Sequence, residues 1–554
     1  MKIYIINIIK NPKNFLSATF FYLSIYSTSI VFYLSFDIVL SPDFEKYFNY
    51  FEMYSGQTDI SGLEQGNLYF FLNYLFIKFV SLIESNYTIN EVINISIYFV
   101  NSLIFLFGCI GLKKYLDLFY KTYNNYFVIS IVCFLPSSME LRASLKPEIL
   151  GFAILSWLLY YFSIKERLLS KLEIYKVIFL SAFLINSKVS VAAIGGSFLL
   201  IYVFFNNRVI FKQIKIKHLV VFALITTSLL IENYNLNGQF INEVNHNENY
   251  DNRADLEFFK NINTKDLKNN PNRYFHSDSF LSITLFDTFN DFFLIYWNSE
   301  YTELNKERKD FFRIVKRTNQ QPPIKINFDK ENVIFTFSGD FDERWDDEEY
   351  LNETRMRFSF VTSVVFYVLL IIYSFIKKNF RVIFLGPFIG MLIISFSALG
   401  YFGTNNFDPL IGDAVKTYYY SFLILISFSV LLSEIINFEF LKKIFGLILI
   451  LLFLFFIGFP FTYSESTQND IIYKNSLLLT CELNRSITDI FFGIREVLCG
   501  NDNLDINKAV PIKPTRNLTY NISKFPYVNI LFLIAYFILS EKLISKIPSI
   551  RKKL

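Results

Sequence analysis

Long apolar segments recur along almost the whole chain, and many approach the about twenty residues that an α-helix needs to cross the hydrocarbon core of a bilayer. Examples lie at 15–36, 92–112, 358–376 and 382–401. Over 554 residues, 53% of the side chains are hydrophobic and 19% are aromatic, which is too apolar for a soluble protein of this length. A backbone exposed to lipid must satisfy its own hydrogen bonds. The sequence therefore predicts an all-α polytopic membrane protein.

Basic residues fall into alternate loops between the apolar segments. Lys10 and Lys13 precede the first span, and Lys113 and Lys114 follow a later one. Because cytoplasmic loops carry an excess of Lys and Arg, this pattern predicts that both ends of the chain lie inside, with about twelve transmembrane helices. The run 177–205 is too long for one straight span, so we expect it to split near Asn186-Ser187-Lys188, with Lys188 at the outer turn. Segment 68–83 is predicted to be an interfacial helix.

These spans divide the chain into five parts. The parts are an N-terminal transmembrane module over 1–232 with its first outer loop at 37–67, a large extracytoplasmic insert over 233–357, transmembrane helices over 358–460, a second outer loop over 461–527, and a last helix with a basic cytoplasmic tail over 528–554. Cys481 and Cys499 share the second outer loop, and their spacing leaves open whether they form a disulfide. The chain contains no Walker loop and no H-E-x-x-H motif, which argues against an ATP-driven pump and a zinc protease.

Charged residues gather on the predicted outer side. The first outer loop carries Asp43, Glu45, Glu52, Asp59 and Glu64 but only one basic residue, and carboxylates at a membrane boundary often mark a functional site. Cations can hold a phosphate while a carboxylate handles a proton, so this side suits a substrate with a lipid-phosphate tail. The other charged residues predicted there are Glu140, Arg142, Lys146, Glu148, Lys188, Asp287, Asp291, Asp413 and Lys416.

The same residues also have ordinary structural interpretations, which the sequence leaves open. Acidic residues in an outer loop can simply be solvated, and long basic side chains often anchor a helix end by snorkelling to the interface. Asp287 and Asp291 lie four residues apart, a spacing typical of the solvent-facing side of an amphipathic helix. The first interpretation applies to Asp43 and Glu45, and the second to Arg142, Lys146 and Lys416. For Glu64, the sequence Glu64-Gln65-Gly66 is also typical of a turn.

Three short segments resemble the GT-C superfamily of glycosyltransferases, which use polyprenyl-phosphate sugars. Asp43-Phe44-Glu45 follows the first span, where that family keeps a modified Asp-x-Asp motif. Leu141–Phe152 (LRASLKPEILGF) is similar to an Arg…Pro-Glu stretch at an outer helix end, and Gly412–Phe428 (GDAVKTYYYSFLILISF) is similar to a Lys/Arg-x-x-Tyr element that enters a late span. The sequence departs from the family in having Glu45 instead of Asp and Thr417 where an Arg is expected.

The resemblance implies an inverting glycosyltransferase that moves a sugar from a polyprenyl-phosphate donor to a glycan, lipid or protein acceptor. It makes Asp43 the general base and Glu45 a second catalytic residue. It leaves open a divalent cation shared by the two, although no metal ligand is assigned. Lys416, Arg142, Lys188, Lys146 and Tyr418 are expected to bind the donor phosphate, and Glu64 and Glu148 the substrate. We expect the protein to contact membrane lipids but no nucleic acid, and to lie in a bacterial inner (plasma) membrane with its site facing the periplasm or exterior.

The sequence leaves two other functions open. The pattern DFEKYFNYF…GLEQGNLYFFL also looks like the Asp-Tyr…Glu-Pro-Gly stretch of exopolysaccharide and O-antigen polymerases, although the Pro is replaced here. A lipid or glycan transporter without chemistry is the third alternative. Transporters often show paired halves and broken helices at the membrane midplane, and the sequence shows no such halves.

Overall fold

The computed structural model describes about half of the chain. The described residues are 21, 50–51, 53–54, 66, 68–83, 89–133, 135–164, 168–237, 256–261, 279–289, 311–317, 324–329, 332–337, 346–399 and 417–437.

Helices account for most of this part of the chain. They are α1 (Leu68–Ile83), α2 (Ile89–Asp117), α3 (Thr122–Val132), α4 (Pro136–Ala143), α5 (Glu148–Ser163), α6 (Lys171–Ile185), α7 (Val189–Asn206), α8 (Val209–Gln213), α9 (Ile216–Asn237), α10 (Leu256–Lys260), α11 (Phe280–Asp287), α12 (Glu353–Ile376), α13 (Arg381–Phe384), α14 (Gly386–Ala398) and α15 (Ser421–Asn437). Short 3₁₀ turns at Lys378–Phe380 and Thr417–Tyr420 precede α13 and α15.

Four strands lie within the predicted insert and form two antiparallel pairs. The strands are β1 (Phe311–Arg317), β2 (Ile324–Asp329), β3 (Asn332–Phe337) and β4 (Asp346–Asn352). β1 pairs with β4, so that Phe311 lies opposite Asn352, and β2 pairs with β3, so that Ile324 lies opposite Phe337.

The helices support the prediction of a membrane protein. In the described residues, four helical segments are long and apolar enough to cross a bilayer: Ser96–Asp117, Val189–Asn206, Lys378–Ala398 and Thr417–Ile436. Val361, Val365, Val368, Ile372 and Phe375 form an exposed apolar stripe on α12, with the three- and four-residue spacing of one helix face. Such a stripe is suited to lipid contact. A predominantly helical structure is thus confirmed for the described residues, apart from the two strand pairs in the insert, and the total of twelve spans stays a prediction.

The predicted break in the run 177–205 is confirmed. α6 ends at Ile185, residues 186–188 form a turn, and α7 begins at Val189. The start of α6 is fixed by a capping box, in which Ser170 Oγ accepts from the Glu173 backbone N–H at 3.3 Å and the Glu173 carboxylate accepts from the Ser170 backbone N–H at 2.8 Å. Reciprocal hydrogen bonds of this kind provide acceptors for backbone N–H groups that have no partner within the first turn of the helix.

Close packing between α2 and α5 forms one part of the core. A Cβ added to Gly108 would lie 2.6 Å from the Phe152 ring, and one added to Gly111 would lie 2.7 Å from the Trp157 ring. Small residues allow helices in membranes to approach closely. α15 packs beside this pair, and every residue from 420 to 436 is buried, as expected for an apolar helix in the centre of a bundle.

The two ends of α15 lie in different polar surroundings. Near its C-terminal end, the Glu434 carboxylate accepts from Tyr120 OH at 2.6 Å and from Lys377 Nζ at 2.7 Å. Near its N-terminal end, Lys188 Nζ lies 4.9 Å from the centre of the Tyr419 ring. Fifteen residues separate Tyr419 from Glu434, which is about 22 Å along a helix. Lys377 and Lys188 therefore lie at opposite ends of the bundle, and their placement on opposite sides of the membrane stays a prediction.

Candidate functional site

Four of the predicted site residues meet near the N-terminal end of α15, and a fifth, Arg142, lies on the adjoining helix α4. Arg142 belongs to α4, Lys146 to the link between α4 and α5, Glu148 to the start of α5, Lys188 to the α6–α7 turn, and Tyr418 to the 3₁₀ turn before α15. All five are buried. Charged side chains at the end of an apolar bundle need partners or a ligand, so their individual contacts decide what this site can do.

Glu148 and Lys188 form a buried ion pair. Lys188 Nζ lies 2.7 Å from Glu148 Oε1, and only 9% of the Lys188 side chain and none of the Glu148 side chain is exposed. Glu148 is the first residue of α5, where the helix dipole favours a negative charge. Lys188 Nζ also lies over the Tyr419 ring, an arrangement in which the ring electrons attract the cation. The pair therefore links α5, the α6–α7 turn and the start of α15.

Lys146 and Tyr418 form a second contact beside this ion pair. Lys146 Nζ lies 5.9 Å from the centre of the Tyr418 ring, and Tyr418 OH lies at hydrogen-bond distance from Ser144 Oγ, 2.9 Å. Two consecutive tyrosine rings thus each carry a lysine ammonium group. Two ammonium groups, one of them paired with Glu148, and the Tyr418 hydroxyl thus lie close together, and groups of this kind can bind a phosphate.

Arg142 donates hydrogen bonds to the protein backbone. Its guanidinium group donates to the Cys133 and Ser138 carbonyl oxygens and lies 4.8 Å from the centre of the Phe105 ring. Since its side chain is fully buried, these contacts fix the connection between α3 and α4 and thereby the segment that carries Lys146.

Two polar residues that the sequence interpretation did not include support the same segment. Asn101 Nδ2 donates to the carbonyl oxygens of Arg142 and Ser144, both at 2.9 Å, and Asn101 Oδ1 accepts from Tyr69 OH at 2.8 Å. Asn101 lies within the apolar run 92–112, and an amide inside a span usually binds a neighbouring helix. That position was the available signal for this residue, whereas nothing in the sequence distinguished Tyr69.

The end of the first outer loop lies against the turn that carries Lys188. A Cβ added to Gly66 would lie 1.7 Å from the Asn186 carbonyl oxygen, so the two backbones are in direct contact. Only glycine permits such an approach without displacement. Gly66, near the end of the loop 37–67, therefore lies at the same end of the bundle as the Glu148–Lys188 pair.

Several predicted residues lie outside the described part of the chain, and their roles stay predictions. These are Asp43, Glu45, Glu64, Asp291, Asp413, Lys416, Cys481 and Cys499. In the part that is described, no group of three or more His, Cys, Asp or Glu side chains could hold a metal ion. Asp287 is buried, which differs from the solvent-facing position suggested by its four-residue spacing to Asp291.

Comparison with known proteins gives no match to a family model, to a curated protein sequence or to a solved structure.

Proposed function

We propose that the chain is an inverting glycosyltransferase that moves a sugar from a polyprenyl-phosphate donor to a glycan, lipid or protein acceptor at the outer face of the membrane. The short motifs that resemble the GT-C superfamily motivate this proposal. Its main structural support is the convergence of Lys146, Glu148, Lys188 and Tyr418, from three separate parts of the sequence, at one end of an apolar helical bundle.

In this proposal the lysines and tyrosines act on the phosphate of the donor. When the bond between the anomeric carbon and the phosphate oxygen breaks, the polyprenyl phosphate leaves with an additional negative charge. Positive groups that are already in position stabilise this charge without reorganising. We assign Lys146, Lys188 and Lys416 to this role, with the Tyr418 hydroxyl as a neutral donor, while Arg142 positions the segment that carries Lys146.

The carboxylates take the remaining roles in the proposal. Asp43 accepts the proton of the acceptor hydroxyl as its oxygen bonds to the anomeric carbon from the face opposite the phosphate, which inverts the configuration. Glu45 and Glu64 lie in the same outer loop, and the contact of Gly66 with Asn186 supports an approach of this loop to Lys188. Glu148 holds Lys188 in place over Tyr419 and borders the substrate.

The test is a transfer assay with the purified full-length protein in lipid nanodiscs. The protein is incubated with a panel of polyprenyl-phosphate sugars, and consumption of each lipid is followed by mass spectrometry. We expect Asp43→Asn to abolish consumption at unchanged expression. Asp59→Asn, in the same loop, is the matched control and should remain active. An active Asp43→Asn variant would remove Asp43 as the base.

The same assay separates the proposal from its alternatives. Consumption of repeat-bearing pyrophosphate lipids, with no consumption of the monophosphate sugars, would contradict the proposal and favour a polymerase. Movement of intact lipid across the membrane without chemical change would instead indicate a transporter. Lys416→Ala should raise the donor concentration required for half-maximal rate, and unchanged saturation would reassign Lys416 to membrane anchoring.

A further inference from the structure

The link from α7 to the first residues of α9, residues 207–217, exposes basic and apolar side chains together. Four of its residues are basic and exposed, and none is acidic. The basic residues are Arg208, Lys212, Lys215 and Lys217. Between them, Val209 is exposed to 52%, Phe211 to 48% and Ile216 to 81%. A water-facing surface rarely exposes large apolar side chains side by side, whereas segments at a membrane interface combine them with basic residues.

Two neutral polar residues of the link bind the protein instead. Asn207 Nδ2 donates to the Phe162 carbonyl oxygen at 2.9 Å, and Gln213 Oε1 accepts from the Leu169 backbone N–H at 2.9 Å. Ile210 is also buried. These contacts hold the link against the connection between α5 and α6. The link is thus a folded surface whose amide groups bind the bundle while apolar and basic side chains are exposed, which is the reverse of a loop in water.

The link lies at the end of the bundle opposite to Lys188. α7 begins directly after Lys188, and its 18 residues extend about 27 Å, close to the thickness of the hydrocarbon core of a bilayer. Trp157 and Tyr160 lie within two turns of the α5 end that the link contacts, and Lys114 Nζ lies 5.7 Å and 5.3 Å from the centres of their rings. Trp and Tyr are enriched at membrane–water interfaces. These positions indicate that the link lies at the level of the lipid headgroups.

Arg208 is held in a geometry that suits a phosphate. Its Nε–H donates to the Phe204 carbonyl oxygen at 2.8 Å, and its guanidinium carbon lies 4.0 Å from the centre of the Phe204 ring. Stacking on an aromatic ring fixes the plane of a guanidinium group. Its two terminal amino groups have no hydrogen-bond partner among the residues that the structure describes. Groups of this kind can donate to two phosphate oxygens at once.

We propose that the link binds an anionic phospholipid, with Arg208 on the phosphate, the three lysines around the headgroup, and Phe211 and Ile216 against the acyl chains. The link supplies four positive charges and no carboxylate, which complements a headgroup with a net negative charge. The exposed apolar side chains favour a lipid over a soluble anion, because a soluble anion would leave them in water. The site lies at the opposite end of the bundle from the proposed donor site and does not depend on glycosyl transfer.

The test measures which lipid contacts the link of the full-length protein in lipid nanodiscs. In a variant without the native cysteines, a fluorophore is attached at Val209→Cys. Its quenching by nitroxide-labelled phosphatidylglycerol is compared with its quenching by phosphatidylcholine that carries the label at the same acyl carbon. Each basic residue near an anionic surface strengthens binding roughly fivefold, so we expect phosphatidylglycerol to be preferred at least fivefold, and less at high ionic strength.

The control position lies in the exposed apolar stripe of α12. The same fluorophore at Val368→Cys has no basic residue within eight positions along the chain and should show no preference between the two lipids. Equal quenching by both lipids at Val209→Cys would overturn the proposal. A preference of the same size at both positions would also overturn it.

Charge variants test whether the basic residues of the link select the lipid. Replacing all four by Gln should abolish the preference at Val209→Cys. The matched control removes the same charge from the C-terminal tail by replacing Lys546, Arg551, Lys552 and Lys553 by Gln, and it should retain the preference. An equal loss in both variants would refute the site, because net charge alone would then explain it. If the link variant does not fold, Arg208→Gln and Lys212→Gln decide, and an unchanged preference in both would refute the site.

Discussion

The buried ion pair between Glu148 and Lys188 predicts an unusual order of stabilities among its variants. Replacing one member leaves an uncompensated charge in the interior, which costs about 3–5 kcal/mol. Replacing both by apolar residues of similar volume removes the charges together and is often nearly neutral. The double variant also loses the favourable position of Glu148 at the start of α5, worth roughly 0.3–1 kcal/mol. We therefore expect Glu148→Leu with Lys188→Met to lie about 1 kcal/mol below the wild type and above both single variants.

The measurement is the free energy of unfolding of the purified protein in mixed micelles, by titration with a denaturing detergent. The four proteins form a double-mutant cycle, which isolates the interaction between the two side chains. The reasoning depends on the 2.7 Å contact and on the burial of both side chains. A double variant that is less stable than either single variant, with losses that simply add, would refute it.

The second ion pair of the bundle provides the control for this experiment. Lys377 Nζ lies 2.7 Å from the Glu434 carboxylate, but 34% of the Lys377 side chain is exposed. Only 6% of the Glu434 side chain is exposed, but water reaches the ammonium group of this pair, and Glu434 keeps its hydrogen bond from Tyr120 when Lys377 is removed. We expect Lys377→Met to cost about 1–3 kcal/mol, less than Lys188→Met. A loss as large as that of Lys188→Met would show that burial does not govern the difference.

Two glycine contacts give further predictions. Gly66→Ala places a Cβ 1.7 Å from the Asn186 carbonyl oxygen, so the backbone at this position must move by more than about 1 Å. We expect the rate of sugar transfer in the nanodisc assay to fall roughly 100-fold. Gly108→Ala places a Cβ 2.9 Å from the Ala153 Cα and should destabilise the bundle by about 1–3 kcal/mol, measured by detergent unfolding. Gly196→Ala has no atom within 4 Å of the added Cβ and is the neutral control for both measurements. Equal losses of transfer rate or of stability at all three glycines would contradict the packing argument.

The sequence was sufficient to predict features that depend on one segment at a time. The length of the run 177–205 requires a break, and the polar residues 186–188 identify its position, which the structure confirms. The charge pattern likewise predicts the opposite sides of Lys188 and Lys377. These features follow from bilayer thickness and from the distribution of basic residues, neither of which requires knowledge of how the helices pack.

Contacts between distant segments could not be predicted in the same way. Glu148 and Lys188 are forty residues apart, and their pairing depends on how α5 packs beside the α6–α7 turn. The burial of Asp287 depends on α11 entering the bundle, whereas spacing along the sequence reports only which face of its own helix a residue occupies. Asn101 could have been recognised as polar within an apolar run, but its partners at Arg142 and Ser144 follow from the tertiary packing.

The two ends of α15 make the membrane orientation testable. Val189, next to Lys188, is 64% exposed. Asn379 is exposed in the middle of the 3₁₀ turn Lys378–Phe380, which follows Lys377. In a variant that lacks all four native cysteines, we expect Val189→Cys to react with a membrane-impermeant maleimide in intact cells. Asn379→Cys should react only after permeabilisation, because basic loops stay in the cytoplasm. If only Asn379→Cys reacted in intact cells, the proposed site would lie in the cytoplasm and an outer-face transferase would be ruled out. If both cysteines reacted in intact cells, the two polar ends of the bundle would not lie on opposite sides of the bilayer.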